Sequence, residues 1–243
     1  MITSRQNEKI KFIKSLSNKK VRDESGLYVV EGVKIVKEAF KMEQRVKTVV
    51  CTEKGLTLLG EVRAEVLTVS EEVFSAISSE KSPQGVIAII EKTLNPLRFP
   101  QGKCLFLDGV SDPNNVGAIL RTAAACGYND VYVAFPSADP YGPKTARVSM
   151  SGLFKVNVFE GSREELLSFI NCPIYVADMN GEDVFSFKSD KAFCLVIGNE
   201  GHGISQEVKQ KATKTISIPM QNGIESLNAG VSAGILMYAL KNS

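Results

Sequence analysis

The sequence predicts an α/β protein of two domains, and three observations support this class. Short apolar, β-branched runs alternate with amphipathic segments along the chain, which is the pattern of strands and helices in turn. The segment EKTLNPLRFPQGK at 91–103 interrupts that alternation with two prolines and no clean periodicity. A chain of 243 residues is also long enough for one or two buried cores. We therefore predict a first domain over 1–92, a linker over 93–102 and a second domain over 103–243.

The first domain is predicted to be a small unit of strands and helices. Its strands are GLYVVEG, VKTVVCT, AEVLTVS and GVIAII, which are apolar and rich in β-branched residues. Its helices are VKIVKEAFKM and EEVFSAI, and Ser70 stands at the capping position before the second one. This order predicts an α/β unit that ends near Ile90.

The second domain repeats the alternation with the stronger signature of a parallel sheet. Its strands are CLFLDGV, DVYVAF, PIYVAD, AFCLVIG and KTISIPM. Its helices are NNVGAILRTAAACG, which Gly127 ends, then REELLSFI, SQEVKQKA and SLNAGVSAGILMYALK. Ligands of open α/β sheets bind outside the carboxyl ends of the strands. The loops that begin at Asp108, Gly198 and Pro219 are therefore expected to converge on one crevice.

Composition argues against several classes of protein. No run of eighteen apolar residues occurs, and the first residues, MITSRQNEKIKFIKSL, are too polar for a signal peptide. We therefore expect no membrane span and a cytoplasmic location. The five cysteines are odd in number and widely spaced, which predicts small buried hydrophobic residues and neither disulfides nor a metal site.

Positive charge is concentrated at the N-terminus. Residues 1–22 carry a charge of +6 and the remainder about −4, because seven basic residues there face one acid, Glu8. The seven are Arg5, Lys9, Lys11, Lys14, Lys19, Lys20 and Arg22. A basic segment of this kind predicts contacts with the phosphates of a nucleic acid. The solvated face of an N-terminal helix would account for the same charges.

Two glycine-rich loops follow apolar strands in the last third of the chain, IGNEGHGIS and IPMQNGIESLNAGVSAG. Neither matches the phosphate loop G-x-x-x-x-G-K-[ST] or the dinucleotide pattern G-x-G-x-x-G. Their glycines would instead let backbone groups approach a flat, uncharged group such as a purine ring.

Polar residues follow three of the predicted strands. Asn115 and Arg121 lie in DPNNVGAILRTA, Glu200 lies between two glycines, and Ser226 and Asn228 precede the closing helix. Each has a purely structural alternative: Asn115 and Ser226 as helix caps, Arg121 as a surface charge and Glu200 as a solvated turn. Their joint placement at strand ends favours a functional site.

Three segments resemble, in order and spacing, the sequence motifs of the SpoU/TrmH family of RNA 2′-O-ribose methyltransferases. They are DPNNVGAILRTA, LVIGNEGHGIS and IPMQNGIESLNAGVSAGILMY. In the first domain, ITSRQNEKIKFIKSL, YVVEGVKIVKEA and SPQGVIAII resemble the L30e-like RNA-binding domain that many members carry. The resemblance implies an α/β fold in which an L30e-like substrate-binding domain precedes a trefoil-knotted SPOUT methyltransferase domain. Composition and periodicity alone could not predict a knot.

The resemblance also implies the reaction and its partners. It implies transfer of a methyl group from S-adenosylmethionine to a ribose 2′-hydroxyl, and a homodimer formed through the knotted domain. Relatives with the accessory domain often act on ribosomal RNA, which favours that substrate over transfer RNA. A catalytically silent RNA-binding or ribosome-assembly protein on the same fold stays open, and so does a nucleotide-binding enzyme with a small-molecule substrate.

Site residues follow from the matched motifs. The cofactor, held chiefly by backbone groups, would contact Gly198, Asn199, Gly201, Ile218, Pro219, Met220, Ser226 and Leu227. The catalytic positions would be Asn115, Arg121, Glu200, Ser226 and Asn228.

The arginine of the first motif allows two interpretations. Arg121 is either the base or a cation that clamps a phosphate and stabilises the developing alkoxide. Because arginine stays protonated to a pH above ~12, we favour the clamp at least as strongly. Glu200 would then orient Arg121. His202, the only histidine, is expected to serve the loop, although histidine titrates near neutral pH, because the family motif does not require it.

Overall fold

The structure is a computed structural model that describes residues 1–224 and 226–241. The chain forms two compact units, each of which takes residues from two segments. The first unit holds Met1–Leu94 and Tyr141–Phe154, and the second holds Asn95–Pro140 and Lys155–Ser243. Among the described helices, none is long and apolar enough to cross a membrane.

A four-stranded sheet with helices around it forms most of the first unit. Its elements are α1 (Glu8–Ser15), α2 (Lys19–Ser25), β1 (Leu27–Glu31), α3 (Val33–Lys41), β2 (Val46–Cys51), α4 (Glu53–Leu59), β3 (Glu65–Thr68), α5 (Glu71–Ile77) and β4 (Val86–Glu91). The strand order is β1-β4-β2-β3, with β4 antiparallel to both neighbours. All four predicted strands form here, and Ser70 caps α5 by accepting a hydrogen bond from the Val73 amide at 3.3 Å.

Helix α4 was not among the predicted elements, because it is only seven residues long and carries a glycine. That glycine is required by close packing, since a Cβ at Gly55 would lie 1.9 Å from the carbonyl oxygen of Gly85. Thr52 caps the helix by accepting a hydrogen bond from the Gly55 amide at 3.1 Å. The sequence therefore forms a helix at a position where composition alone disfavours one.

The segment Tyr141–Phe154 belongs to the first unit, although it lies within the range 103–243. It forms α7 (Pro143–Ser149) and a short 3₁₀ helix (Met150–Phe154). The Tyr141 ring packs edge-on against Tyr28 with centroids 5.1 Å apart. The limits of the two domains stay a prediction. The compact units differ from them in this segment and in the predicted linker, which the units divide between Leu94 and Asn95.

The second unit is built on a six-stranded parallel sheet. Its elements are β5 (Cys104–Asp108), α6 (Pro113–Cys126), β6 (Asp130–Ala134), β7 (Asn157–Gly161), α8 (Arg163–Ser168), β8 (Ile174–Asp183), β9 (Cys194–Gly198), α9 (Gln206–Lys209), β10 (Lys214–Ser217) and α10 (Ala229–Ala239). The strand order is β10-β8-β9-β5-β6-β7, and every described pair is parallel. β5 and β6 are buried along their whole length, as expected for the near-continuous apolar runs of a parallel sheet. The predicted parallel α/β class is confirmed.

The centre of this sheet is a topological switch point. The chain runs from β5 outward to β7 at one edge, crosses to β8, and returns with β9 beside β5. Asp108 at the end of β5 pairs in register with Gly198 at the end of β9. Switch points of open parallel sheets are where ligands bind, because the loops that leave them diverge and open a crevice.

Candidate active site

Three loops at the carboxyl edge of the second unit carry the motif residues. They are the β5 loop (109–112), the β9 loop (199–205) and the β10 loop (218–224 and 226–228). The β5 loop enters α6 through Asp112, whose carboxylate accepts a hydrogen bond from the Asn114 amide at 2.9 Å. Asp112 is therefore the N-cap of α6, and Asn115, which is 5% exposed, lies inside the first turn. The capping alternative for Asn115 is wrong.

Asn115 joins the three loops through its side-chain amide. Its Nδ2 donates a hydrogen bond to Oε1 of Glu200 at 2.7 Å. Its Oδ1 accepts one from Nδ2 of Asn228 at 2.8 Å. These partners are 85 and 113 residues away along the chain. Three of the five predicted catalytic residues thus meet in one chain of hydrogen bonds.

Glu200 binds the β5 loop through both oxygens of its carboxylate. Oε2 accepts hydrogen bonds from the amide and the hydroxyl of Ser111 at 3.0 and 2.7 Å. Oε1 accepts from the Asp112 amide at 3.1 Å as well as from Asn115. Partial burial raises the pKa of Glu200, but the hydrogen bonds from Asn115 and Ser111 outweigh it and lower this pKa to about 2. Glu200 is therefore an ionised acceptor that fixes the β5 loop, and neither a free turn nor a useful base.

Asn228 starts the closing helix. Its Oδ1 accepts hydrogen bonds from the amides of Gly230 and Val231 at 3.0 and 3.2 Å, so it is the N-cap of α10. Ser226 is exposed and lies two residues before this cap, so the capping alternative for Ser226 is also wrong. A Cβ at Gly230 would lie 3.3 Å from the Cβ of Ala118, which shows how closely α10 and α6 pack.

The β9 loop folds back on itself. Asn199 and Gly203 exchange two backbone hydrogen bonds at 3.0 and 2.9 Å. A Cβ at Gly198 would lie 2.5 Å from the backbone carbon of Gly203, so glycine is required there by the loop itself. The side chain of Asn199 donates to the Gly109 carbonyl at 2.8 Å and accepts from the Gly201 amide at 2.9 Å. The β9 loop is thereby tied to the β5 loop a second time.

His202 also contributes to the β9 loop. Its ring Nδ1 lies 3.0 Å from Oδ1 of Asn199, which also accepts the His202 amide at 3.0 Å. The side chain is exposed. This position agrees with the expected loop role.

The β10 loop leaves apolar groups partly exposed at the carboxyl edge of the sheet. Ile218 and Leu227 are half-buried, while Pro219 and Met220 are exposed. These are the predicted cofactor contacts of the third motif, and their roles stay a prediction. Partly exposed apolar side chains at the carboxyl edge suit an aromatic ring better than a phosphate.

Arg121 lies apart from the chain of hydrogen bonds. It is exposed on α6, six residues after Asn115, which is about 9 Å farther along the helix axis. The expected contact between Glu200 and Arg121 is not among the hydrogen bonds of the described residues, because other donors occupy both oxygens of Glu200. Its catalytic role stays a prediction.

A buried ion pair at the same edge was missed by sequence reasoning. Asp108, which is 1% exposed, accepts hydrogen bonds from Nε of Arg163 and from the Ser205 amide at 2.6 Å. An acid at the end of a buried strand is a signal that could have drawn attention to Asp108. Nothing in REELLSFI distinguishes Arg163 from the charged first turn of an ordinary amphipathic helix.

The basic N-terminal segment forms α1 and α2, and one predicted member is not on its surface. Arg22 is 3% exposed and donates to the Leu16 carbonyl at 2.7 Å, so the prediction that it binds phosphate is wrong. The other six side chains reach solvent: Arg5, Lys9, Lys11, Lys14, Lys19 and Lys20. The ion pairs of Lys9 with Glu65 and Lys11 with Glu8 lie on the surface and are worth little, so they leave these cations available.

The fold and the three loops define a class of protein. Residues 102–238 match the SpoU rRNA Methylase family, and residues 7–88 match an MRM3-like substrate binding domain. The chain therefore belongs to the SpoU/TrmH family of RNA methyltransferases, which confirms the predicted family and agrees with its trefoil-knotted fold. Within residues 1–224 and 226–241, no group of three His, Cys, Asp or Glu side chains could hold a metal ion.

Characterised relatives match almost the whole chain. The 23S rRNA (guanosine(2553)-2′-O)-methyltransferase RlmP of Bacillus subtilis is 31% identical, and the match covers 99% of this chain and 98% of the relative. The 23S rRNA (uridine(2479)-2′-O)-methyltransferase of Streptomyces viridochromogenes is 29% identical over 98% and 90% of the two chains. The AdoMet-bound rRNA methyltransferase from Sinorhizobium meliloti has a TM-score of 0.88, with 29% identity and 98% and 95% coverage.

Proposed function

We propose that the chain is an S-adenosylmethionine-dependent methyltransferase that modifies a ribose 2′-hydroxyl of 23S ribosomal RNA. The observation that carries the proposal is the chain of hydrogen bonds from Asn228 through Asn115 to Glu200, which joins all three motifs at the switch point. The substrate is the one named for the two relatives that match nearly the full chain. This substrate also supports the expected cytoplasmic location.

The loops beside the switch point fit the cofactor. Partly exposed apolar side chains of the β10 loop, Ile218 and Leu227, would hold the adenine ring together with backbone groups of Gly198 and its neighbours. When bound, the cofactor supplies an electrophilic methyl group on a sulfonium. Glu200 and Asn115 hold the β5 and β9 loops, so these loops need no rearrangement at the moment of reaction.

Arg121 supplies the positive charge in this proposal. Its side chain is exposed on α6, where the N–H donors of the guanidinium can meet the RNA strand. It would bind the phosphate beside the target ribose and stabilise the 2′-oxygen as this oxygen takes the methyl group from the sulfonium and its proton passes to solvent water. Glu200 is a poor base, because a carboxylate whose pKa is about 2 holds a proton too weakly.

RNA affinity would come largely from the first unit. Arg5 and the five lysines of α1 and α2, whose side chains reach solvent, would contact phosphates without sequence choice. We also propose a homodimer through the second unit. On α10, Val231 and Tyr238 are 52% and 54% exposed and stand one heptad apart, so they form an apolar stripe that a second copy could cover.

Methyl transfer provides the direct test. Purified protein is incubated with methyl-tritiated S-adenosylmethionine and either 23S ribosomal RNA or transfer RNA, and cofactor binding is measured by calorimetry. We expect label in the ribosomal RNA at a single ribose. Cofactor binding without transfer to either RNA would identify a silent RNA-binding protein on the same fold, and label in transfer RNA alone would overturn the proposed substrate.

A further inference from the structure

The ion pair of Asp108 and Arg163 has no part in the chemistry described so far. Asp108 ends the central strand β5, is 1% exposed, and uses one carboxylate oxygen for Nε of Arg163 and the other for the Ser205 amide. A buried carboxylate with a fixed donor on each oxygen holds its position. It therefore also holds the guanidinium plane of Arg163.

Most of the guanidinium is left available to another molecule. In the described part of the chain, Arg163 forms its ion pair with Asp108 through Nε. Arginine carries five N–H donors, so the two Nη groups with their four hydrogens have no protein acceptor there. The side chain as a whole is 27% exposed, so part of it reaches solvent. An oriented fork of N–H donors matches a phosphate in two-point fashion.

This fork lies against the β5 loop. Nη2 of Arg163 is 3.3 Å from the position that a Cβ on Gly109 would take, and Gly109 has a positive φ of 77°. The Gly109 carbonyl accepts the side chain of Asn199, and the next residues of the loop bind Glu200. Arg163 is therefore attached to the same loop as the motif residues.

Sheet order places the backbone of Arg163 on the side of β5 opposite to the strands that carry the cofactor loops. The β9 and β10 loops leave strands on one side of β5, whereas Arg163 begins α8 directly after β7, at the opposite edge. The guanidinium reaches from that edge towards the end of β5. For an anion that approaches the guanidinium from the β7 side, we therefore favour a phosphate of the RNA strand over the carboxylate of the cofactor.

We propose that Arg163, held in place by Asp108, binds a phosphate of the RNA strand at the edge of the active site. The inference rests on the proposed function, since it takes RNA as the substrate. In this arrangement Arg163 contacts RNA directly and Asp108 is a positioning residue. The first unit would supply general affinity, and Arg163 would fix the strand beside the target ribose.

Four variants test the proposal: Arg163→Gln, Arg163→Lys, Asp108→Asn and a control, Lys191→Gln. Lys191 is exposed three residues before β9 begins, at the amino edge of the same sheet. For each variant, we would measure RNA affinity over a salt series, cofactor affinity by calorimetry, and kcat and KM for methyl transfer.

The expected pattern is specific to a phosphate contact. Arg163→Gln should weaken RNA binding about tenfold at low salt and reduce the slope of log K against log salt by about 0.7 to 0.9, the value for one phosphate. Arg163→Lys should keep the slope but lose part of the affinity, because it loses the two-point geometry. Asp108→Asn should raise KM for RNA, and Lys191→Gln should change nothing. Cofactor affinity should stay constant in both Arg163 variants and in the control.

Two results would overturn the inference. In the first, the wild-type enzyme methylates RNA, and Arg163→Gln binds RNA with the same affinity and the same salt slope as the wild type. The ion pair of Asp108 and Arg163 would then be purely structural. Loss of cofactor affinity with unchanged RNA binding would assign the guanidinium to the cofactor. Failure of the proposed function is distinguishable, because it would appear as absent methyl transfer in the wild type while the salt slope still reports on Arg163. If Asp108→Asn does not fold, the two Arg163 variants still decide the question.

Discussion

Charged side chains behave differently in the N-terminal helices and at the carboxyl edge of the parallel sheet. On α1 and α2 most cations are exposed and face single acids at the surface, as Lys11 faces Glu8. At the sheet edge, Glu200 and Asp108 each accept several hydrogen bonds from fixed donors. The N-terminal helices therefore offer positive charge without fixed contacts, whereas the sheet edge holds its charged groups in a fixed geometry. Substitution of an exposed cation on α1 or α2 should therefore change RNA affinity alone, whereas substitution of Glu200 should change stability.

The largest expected effect is at Arg121. Arg121→Ala should lower methyl transfer by at least about 100-fold, the range for loss of one group that stabilises developing charge. Because Arg121 is exposed, the variant should keep the wild-type melting temperature. Tritium transfer to ribosomal RNA measures the rate, with Lys191→Gln as the control. Retained activity would remove Arg121 from the mechanism.

Glu200 should make stability depend on pH. Its pKa lies at about 2 in the folded protein and at 4.5 ordinarily, so its hydrogen bonds contribute stability fully above pH ~4.5. That stability should be lost as pH falls from 4.5 towards 2. Glu200→Gln should weaken this dependence, and denaturant unfolding at pH 7 and pH 3 measures the free energies. If the free energy of unfolding falls equally between pH 7 and pH 3 in the wild type and in Glu200→Gln, Glu200 is not the group responsible.

Arg22 and Lys14 provide a matched pair inside the basic segment. Arg22→Gln should lower the free energy of unfolding by about 1 to 3 kcal/mol, because it removes a buried hydrogen bond to the Leu16 carbonyl. Lys14→Gln should leave stability unchanged and weaken RNA binding a few-fold, with a smaller salt slope. Thermal unfolding and a gel-shift salt series separate the two effects. If Arg22→Gln weakened RNA binding without loss of stability, the result would contradict the burial of Arg22.

The smallest effect is expected at His202. His202→Ala should keep methyl transfer within about threefold of wild type, because a surface side chain at such a position contributes little. The same tritium assay, run from pH 6 to 9, would reveal a base if one is lost. A greater loss here than in Arg121→Ala would exchange the roles of the two residues.

Local patterns in the sequence were enough to predict the parallel sheet, because each strand and its following helix have a distinct periodicity. The motif resemblance identified Asn115, Glu200 and Asn228, which the fold brings together. The burial of Arg22 and the ion pair of Asp108 with Arg163 were beyond such reasoning. These depend on contacts between residues far apart, such as the 55 positions between Asp108 and Arg163, and a basic residue inside a basic segment carries no sign of burial.

Three short elements differ between the sequence prediction and the structure. Strand β7 and helix α7 were not among the predicted elements, and α9 spans only Gln206–Lys209 where SQEVKQKA predicted a longer helix. Short elements depend on tertiary packing more than on their own sequence. Tyr141 against Tyr28 is an example, since that contact accompanies α7 in the first unit.

The carboxamide of Asn115 has two chemically different ends, and both are used. A carboxylate there would face the carboxylate of Glu200, and a leucine of the same shape would remove one hydrogen bond from each of the two neighbours. No other side chain of that length offers a donor and an acceptor in one plane. Anyone who redesigns this enzyme for a new RNA target must therefore keep the asparagine.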